Sequence, residues 1–180
     1  AQALVRRGAR VDNILAASAL GRVDLVEEFV RNDGTLRPDV VRALGPWPSL
    51  SADPKQHLGY ALTWACSFGH DDVVELLLRK GVDPTGQDDD ASAVHFAAAY
   101  GRMNLVRLLV SHGASLETLN SYGGTVLSGT LYFAYHMPVK GVDYSAVVRN
   151  LIEMGAKIHI FPGMKQRVDA VLDGSWRNEQ

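Results

Sequence analysis

Two stretches of this 180-residue chain copy one another at a fixed offset, and that constrains its fold more than any single residue can. Gly69-His70-Asp71-Asp72-Val73-Val74-Glu75-Leu76-Leu77-Leu78-Arg79-Lys80-Gly81 matches the stretch from Gly101 to Gly113 at a spacing of 32 residues. Gly21 to Gly34 and Gly141 to Gly155 are looser copies. A unit this short cannot bury its own apolar face, so the copies must stack side by side.

Each copy reads as a helix pair. Val73, Val74, Leu76, Leu77 and Leu78 share one broad helical face, with Glu75, Arg79 and Lys80 assigned to the wet side, which describes an outer helix. Gly81 and Gly113 follow the last apolar residue, where a left-handed cap favours glycine, and Pro84 blocks continuation. Upstream, Leu62 to Phe68 and Val94 to Tyr100 form short helices rich in small residues that permit close approach. Gly69 and Gly101 provide the tight turn between inner and outer helices.

Ser92-Ala93-Val94-His95-Phe96-Ala97-Ala98, followed by Gly101, resembles the Thr-Pro-Leu-His-x-Ala-Ala-x-x-Gly core of an ankyrin repeat. Leu108 to Ala114 and Leu151 to Ala156 resemble its Leu-Leu-x-x-Gly-Ala ending. Asn13 to Gly21 is a degraded copy, and Thr125-Val126-Leu127 opens another. The resemblance covers most of residues 1 to 160, and the insertions look more bacterial than animal. It implies an all-α solenoid of about four helix pairs, with short finger loops, one long irregular insertion and a C-terminal capping helix. One domain is expected: the end of a truncated repeat (1–11), a repeat (12–34), an insertion (35–59), repeats at 60–86 and 87–118, a repeat with an inter-helix insertion (119–160) and a cap (161–180). Ala1 falls inside a repeat, so the chain is expected to be trimmed from something longer.

Departures from the pattern are informative. Gly8 to Gly21 is too short for a full finger. Within the insertion, Pro38 to Leu44 predicts two helical turns and Gly45-Pro46-Trp47-Pro48-Ser49 a loop. Asp53-Pro54 reads as an N-cap followed by proline in the first turn, which extends the next inner helix. His136 to Val142 lengthens a turn and is expected to face solvent. After an extended Lys157 to Pro162, Met164 to Leu172 predicts a final helix with Val168, Val171 and Leu172 inward and Lys165, Arg167, Asp169 and Asp173 outward.

Charge and cysteine usage narrow the function. Residues 51–100 hold three basic side chains (Lys55, Arg79, Lys80) against eight acidic ones, 3 − 8 = −5, which argues against a nucleic-acid groove. The single cysteine, Cys66, sits among apolar residues and points to a reducing compartment, the cytoplasm. Neither an apolar run of membrane-spanning length nor a signal-peptide core is present, so no membrane anchoring is expected.

No catalytic, cofactor or metal site is expected. The resemblance gives His95 a structural role, bridging neighbouring backbones, and accounts for His70 and His112. His57, His136 and His159 lack a second ligand at helical spacing. Cys66 reads as a small buried hydrophobe. Tyr122-Gly123-Gly124-Thr125 is a finger turn without a phosphate-binding lysine. Asp88-Asp89-Asp90 lacks the EF-hand spacing and reads as a solvated hairpin tip.

The resemblance implies instead a non-enzymatic scaffold, acting as a monomer, whose fingers and inner helices line a partner-binding surface. Carried over by position, that surface comprises Leu20, Ser67, Phe68, Asp88, Asp89, Ala91, Ala99, Tyr100, Ser121 and Tyr122. Leu20, Phe68 and Tyr100 fall at equivalent places and read either as exposed anchors or as side chains packed against the next finger. The acidic finger favours a protein partner with a basic patch. Trp47 is a further anchor or a lid folded over the core. The alternative is an accessory or targeting domain of a larger enzyme or effector.

Overall fold

The helices begin where short polar side chains can satisfy free backbone amides. Asn13 accepts from the Ala16 amide at 2.8 Å, Asp53 from Lys55 at 2.9 Å and Asp143 from Ala146 at 3.2 Å. The computed structural model describes residues 11–43, 53–158 and 162–179. Trp47, its proline-flanked loop and His159 lie outside them.

Four helix pairs follow in order among the described residues. α1 (Ile14–Ala19) pairs with α2 (Val23–Phe29), and α3 (Pro38–Ala43) intervenes. α4 (Pro54–Phe68) pairs with α5 (Asp71–Arg79), α6 (Ala93–Ala99) with α7 (Met103–Ser111), and α8 (Val126–His136) with α9 (Tyr144–Glu153). α10 (Met164–Asp173) and a 3₁₀ turn, Ser175–Glu179, follow. α1, α4, α6 and α8 stack as an inner row, α2, α5 and α7 as an outer one, and α10 packs on α8 and α9. Among the described residues no strand forms. Single antiparallel bridges, Val30 to Leu36 and Gln87 to Ser92, close tight turns.

Small residues set the stacking distance. Ala61, Ala65, Ala97 and Ala98 are fully enclosed between inner helices, and Leu62, Leu77, Leu105, Leu109 and Leu127 fill the seam behind them. Burial of each such leucine contributes about 2 kcal/mol. One apolar cluster runs from Ile14 to Trp176, so every pair shares its core with the next. The turn between α6 and α7 requires glycine twice over. Gly101 has φ +70°, and a Cβ there would lie 3.0 Å from Val142 Cγ1.

Three local expectations are corrected. Lys80, assigned to the wet face, is buried: its ammonium donates to the Val30 carbonyl at 2.8 Å and pairs with Glu27 at 3.2 Å. It thereby meets the carbonyls at the C-terminal end of α2. α8 runs through His136, so the connection to α9 starts at Met137. That connection faces solvent as expected, with Met137, Pro138, Lys140 and Gly141 exposed, and it is anchored where the buried Tyr144 hydroxyl accepts from the Val139 amide at 3.2 Å and donates to the Ala99 carbonyl at 2.9 Å. In α10, Met164, Val168 and Val171 are buried, whereas Leu172 is only half-buried. Among the described residues no helix is long and apolar enough to cross a membrane.

Candidate functional site

A groove opens in the inner row between α6 and α8. α6 is organised by His95, which is almost fully enclosed. Its Nε2 lies 3.1 Å from the Gly124 carbonyl, so Nε2 carries the proton, and its Nδ1 accepts from the Ser92 hydroxyl at 2.7 Å. Burial holds the imidazole pKa below its ordinary value, with the Gly124 carbonyl pulling weakly the other way. The ring is therefore a neutral strut between one inner helix and the next finger.

That finger, residues 115–125, is built on Asn120. Its side-chain oxygen accepts from the amides of Tyr122 at 3.1 Å and Gly124 at 2.8 Å. The preceding finger meets it directly: the Asp90 carbonyl accepts from the Ser121 amide at 2.9 Å and from its hydroxyl at 3.0 Å. Thr125 then starts α8.

Between these supports lies a groove of about 680 Å³, a volume in the range of ligand-binding clefts. Its floor is aromatic. Tyr100 lies 6.5 Å from Phe96 on its own helix and 6.0 Å from Phe133 on α8, ring centre to ring centre. Its rim carries Tyr122, Tyr132 and Met137, exposed at 83, 52 and 56 per cent. Gly129, in the middle of α8, leaves the floor open toward His95, since even a Cβ would reach 3.5 Å from its ring. Asp90 stands at the finger end and Arg167, from α10, at the other. The Arg167 guanidinium lies 5.8 Å from the centre of the Tyr135 ring.

Of the ten residues expected on the binding surface, Tyr100, Tyr122, Ala91 and Ala99 line the groove. Ala91 and Ala99 do so with 8 and 2 per cent of their surface exposed, because the finger turn and the next helix cover them, so they shape the wall and offer little contact area. Tyr100 is half-buried against Phe133, so it packs on the next inner helix while still facing the groove. Leu20, Ser67, Phe68, Asp88, Asp89 and Ser121 lie outside the groove. Phe68 is 59 per cent exposed, and Leu20 is half-buried at the end of α1. Asp88 turns inward and accepts from the amides of Asp90 and Ala91 at 2.9 and 2.8 Å, while burial pushes its carboxyl pKa up.

Phe96, Tyr132, Phe133, Met137 and Arg167 were not read from the sequence. A signal existed for Phe133, which stands eight residues after its N-cap, Thr125, as Tyr100 does after Ser92. Ala134 follows Phe133 where the other inner helices end in glycine, and this hid the register.

Other candidate chemistry is absorbed by the architecture. Cys66 is fully enclosed, and burial pushes its thiol well above its ordinary pKa. His70 Nε2 meets the Ala19 carbonyl at 3.1 Å, joining the first two pairs, and His112 Nδ1 meets the Leu108 carbonyl of its own helix. Among the described residues no three of His, Cys, Asp and Glu are grouped to hold a metal ion.

A family model of ankyrin repeats, three copies long, matches residues 13–120 and again residues 62–161. Over 71 residues, 39% of this chain, the sequence is 37% identical to the E3 ubiquitin-protein ligase hecd-1 of Caenorhabditis elegans. Over 66 residues, 37% of this chain, it is 35% identical to the E3 ubiquitin-protein ligase Ufd4 of Drosophila melanogaster. These matches cover 3% and 2% of the two ligases, so the chain spans a small fraction of those curated relatives.

Proposed function

The chain belongs to the ankyrin-repeat family, and from that premise we propose that it is a non-enzymatic scaffold whose groove between α6 and α8 receives a protein partner. Ankyrin repeats are protein-interaction modules. The observation that carries the reading is the exposure of Tyr122, Tyr132 and Met137 around an aromatic floor. Large apolar side chains clustered at one concave site supply the anchors of an interface, and packed helices keep the ordering penalty small.

The scaffold acts as a monomer in the cytoplasm, with no cofactor and no nucleic-acid partner. Its exposed Asp89 and Asp90 favour a partner with a basic patch. Leu20, Ser67 and Phe68 extend the same surface toward the N-terminal pairs.

Affinity capture with the purified protein tests this. Tyr132→Ala with Met137→Ala removes two exposed anchors and leaves the melting temperature within about 1 °C of the parent. Captured partners are expected to fall about tenfold or more. Undiminished capture by that double variant would reject the groove. Phe68→Ala, run alongside, reports whether the contact continues onto α4.

A second reading is favoured by two of the relatives, each named as an E3 ubiquitin-protein ligase. In it, this domain is the accessory part of a longer polypeptide, and the groove brings a partner to a catalytic part outside residues 1–180. Sequencing the intact gene product decides: repeats alone would remove this reading.

A further inference from the structure

Resting on the groove as the partner site, we propose that its occupant is an extended segment of the partner protein with a fixed order of chemistry. A lysine or arginine of that segment meets Asp90, a bulky apolar side chain lies over Tyr100 and Phe133, and an aspartate or glutamate meets Arg167.

The argument starts from charges that the domain leaves open at the two ends of one apolar trough. Arg167 is exposed, and among the described residues no carboxylate lies within ion-pair distance of it. Asp169, two residues along α10, is already held by Lys165 at 2.8 Å. The guanidinium is nevertheless positioned, because it rests over Tyr135, whose ring packs 6.0 Å from Trp176. A planar donor fork held in place over an aromatic face suits a carboxylate better than a mobile ammonium would.

Asp90 is the converse. Among the described residues its carboxylate receives only a long contact, 3.4 Å, from the Tyr122 hydroxyl, and its backbone carbonyl fixes the chain by bonding Ser121. Asp88 beside it is occupied with backbone amides, so Asp90 is the finger carboxylate that lines the groove. Among the described residues no cation pairs with it.

The two ends cannot neutralise each other. Asp90 sits on the finger before α6, where its carbonyl is bonded to Ser121 of the finger that precedes α8, and Arg167 lies over Tyr135 in the last turn of α8. Along α8, from its N-cap Thr125 to Tyr135, ten steps of 1.5 Å separate the two ends by roughly 15 Å. An extended chain advances about 3.3 Å per residue, so ligand charges roughly five residues apart would reach both. Between them the wall is aromatic, so a bulky apolar side chain laid over it would displace water and strengthen each end contact. A uniformly basic partner would satisfy Asp90 and place a like charge against Arg167, and that mismatch gives the groove its selectivity.

Selection of a phage-displayed random dodecapeptide library on the purified protein tests this. Enriched peptides are expected to carry a Lys or Arg and an Asp or Glu four to six residues apart, with an aromatic or long aliphatic residue between. Binding of an enriched synthetic peptide, read by fluorescence anisotropy, should weaken about tenfold on Arg167→Glu. It should recover when the peptide's own acidic residue becomes lysine. Circular dichroism and melting of Arg167→Glu should match the parent. Peptides that need Tyr132 and Met137 yet lack the acidic residue, or ignore Arg167→Glu, overturn this proposal and leave the groove standing. A selection with no peptide dependent on Tyr132 and Met137 overturns both.

Discussion

The two central fingers follow one plan and are held by different forces. The first, between Val82 and Ser92, lies directly on α4: a Cβ on Gly86 would fall 2.8 Å from the Cα of Gly59. The second, between Ser115 and Thr125, is held by polar struts, His95 to the Gly124 carbonyl and Ser121 to Asp90. Backbone lying on backbone closes the space beneath the first finger. A histidine ring and a hydroxyl brace the second while the groove stays open beneath it. Stacking distance is nearly constant in such arrays, so single residues at the helix–finger junction decide where a cleft forms.

Breaking the closed junction should have the largest effect. Gly86→Val drives a branched side chain into the α4 backbone and is expected to destabilise by about 3 kcal/mol in urea unfolding; parental stability would show the contact to be slack. His95→Ala should cost about 2 kcal/mol, since it strands the Gly124 carbonyl and the Ser92 hydroxyl. The histidine also gives the parent a pH signature. Its folded pKa lies below the unfolded value of 6.5, so the unfolded state binds more protons and His95 contributes stability above pH 6.5 that is lost as pH falls through the folded value. His95→Ala should show a flatter stability profile between pH 7 and 5, and an unchanged slope would reject the buried neutral ring.

Smaller effects sharpen the contrast. Gly123, at the tip of the braced finger, has φ +76° and no neighbour within 4 Å of a would-be Cβ. Gly123→Ala should therefore cost only the left-handed backbone penalty, about 1 kcal/mol, against the larger clash at Gly86. Gly129→Ala should stabilise by about 0.5–1 kcal/mol, because alanine favours the helix and its methyl meets His95 at ordinary contact distance. Destabilisation by that change would mean that the floor at α8 is already filled.

What the sequence made legible follows from local rules. The matched runs from Gly69 and Gly101 carry helix periodicity, turn glycines and caps within a dozen residues, and α4 to α7 form accordingly. The role of His95 was legible through its motif. Lys80 was misplaced because its acceptors come from Glu27, Val30 and Asn32, some fifty residues earlier, and side-chain pattern cannot report a partner at that separation. The groove was half-visible for the same reason. Tyr100 and Tyr122 lie within recognisable repeats, whereas Tyr132, Phe133 and Arg167 converge on them only through the lengthened α8 and the docking of α10.

The buried ammonium of Lys80 also bears on how the molecule comes apart. Linear arrays tend to fray from an end, one unit at a time. Here release of α2 from α5 would break three hydrogen bonds and an ion pair together, so the first hairpin is fastened by a bolt and not by contact area alone. Amides of α2 are accordingly expected to exchange with protection close to that of α5.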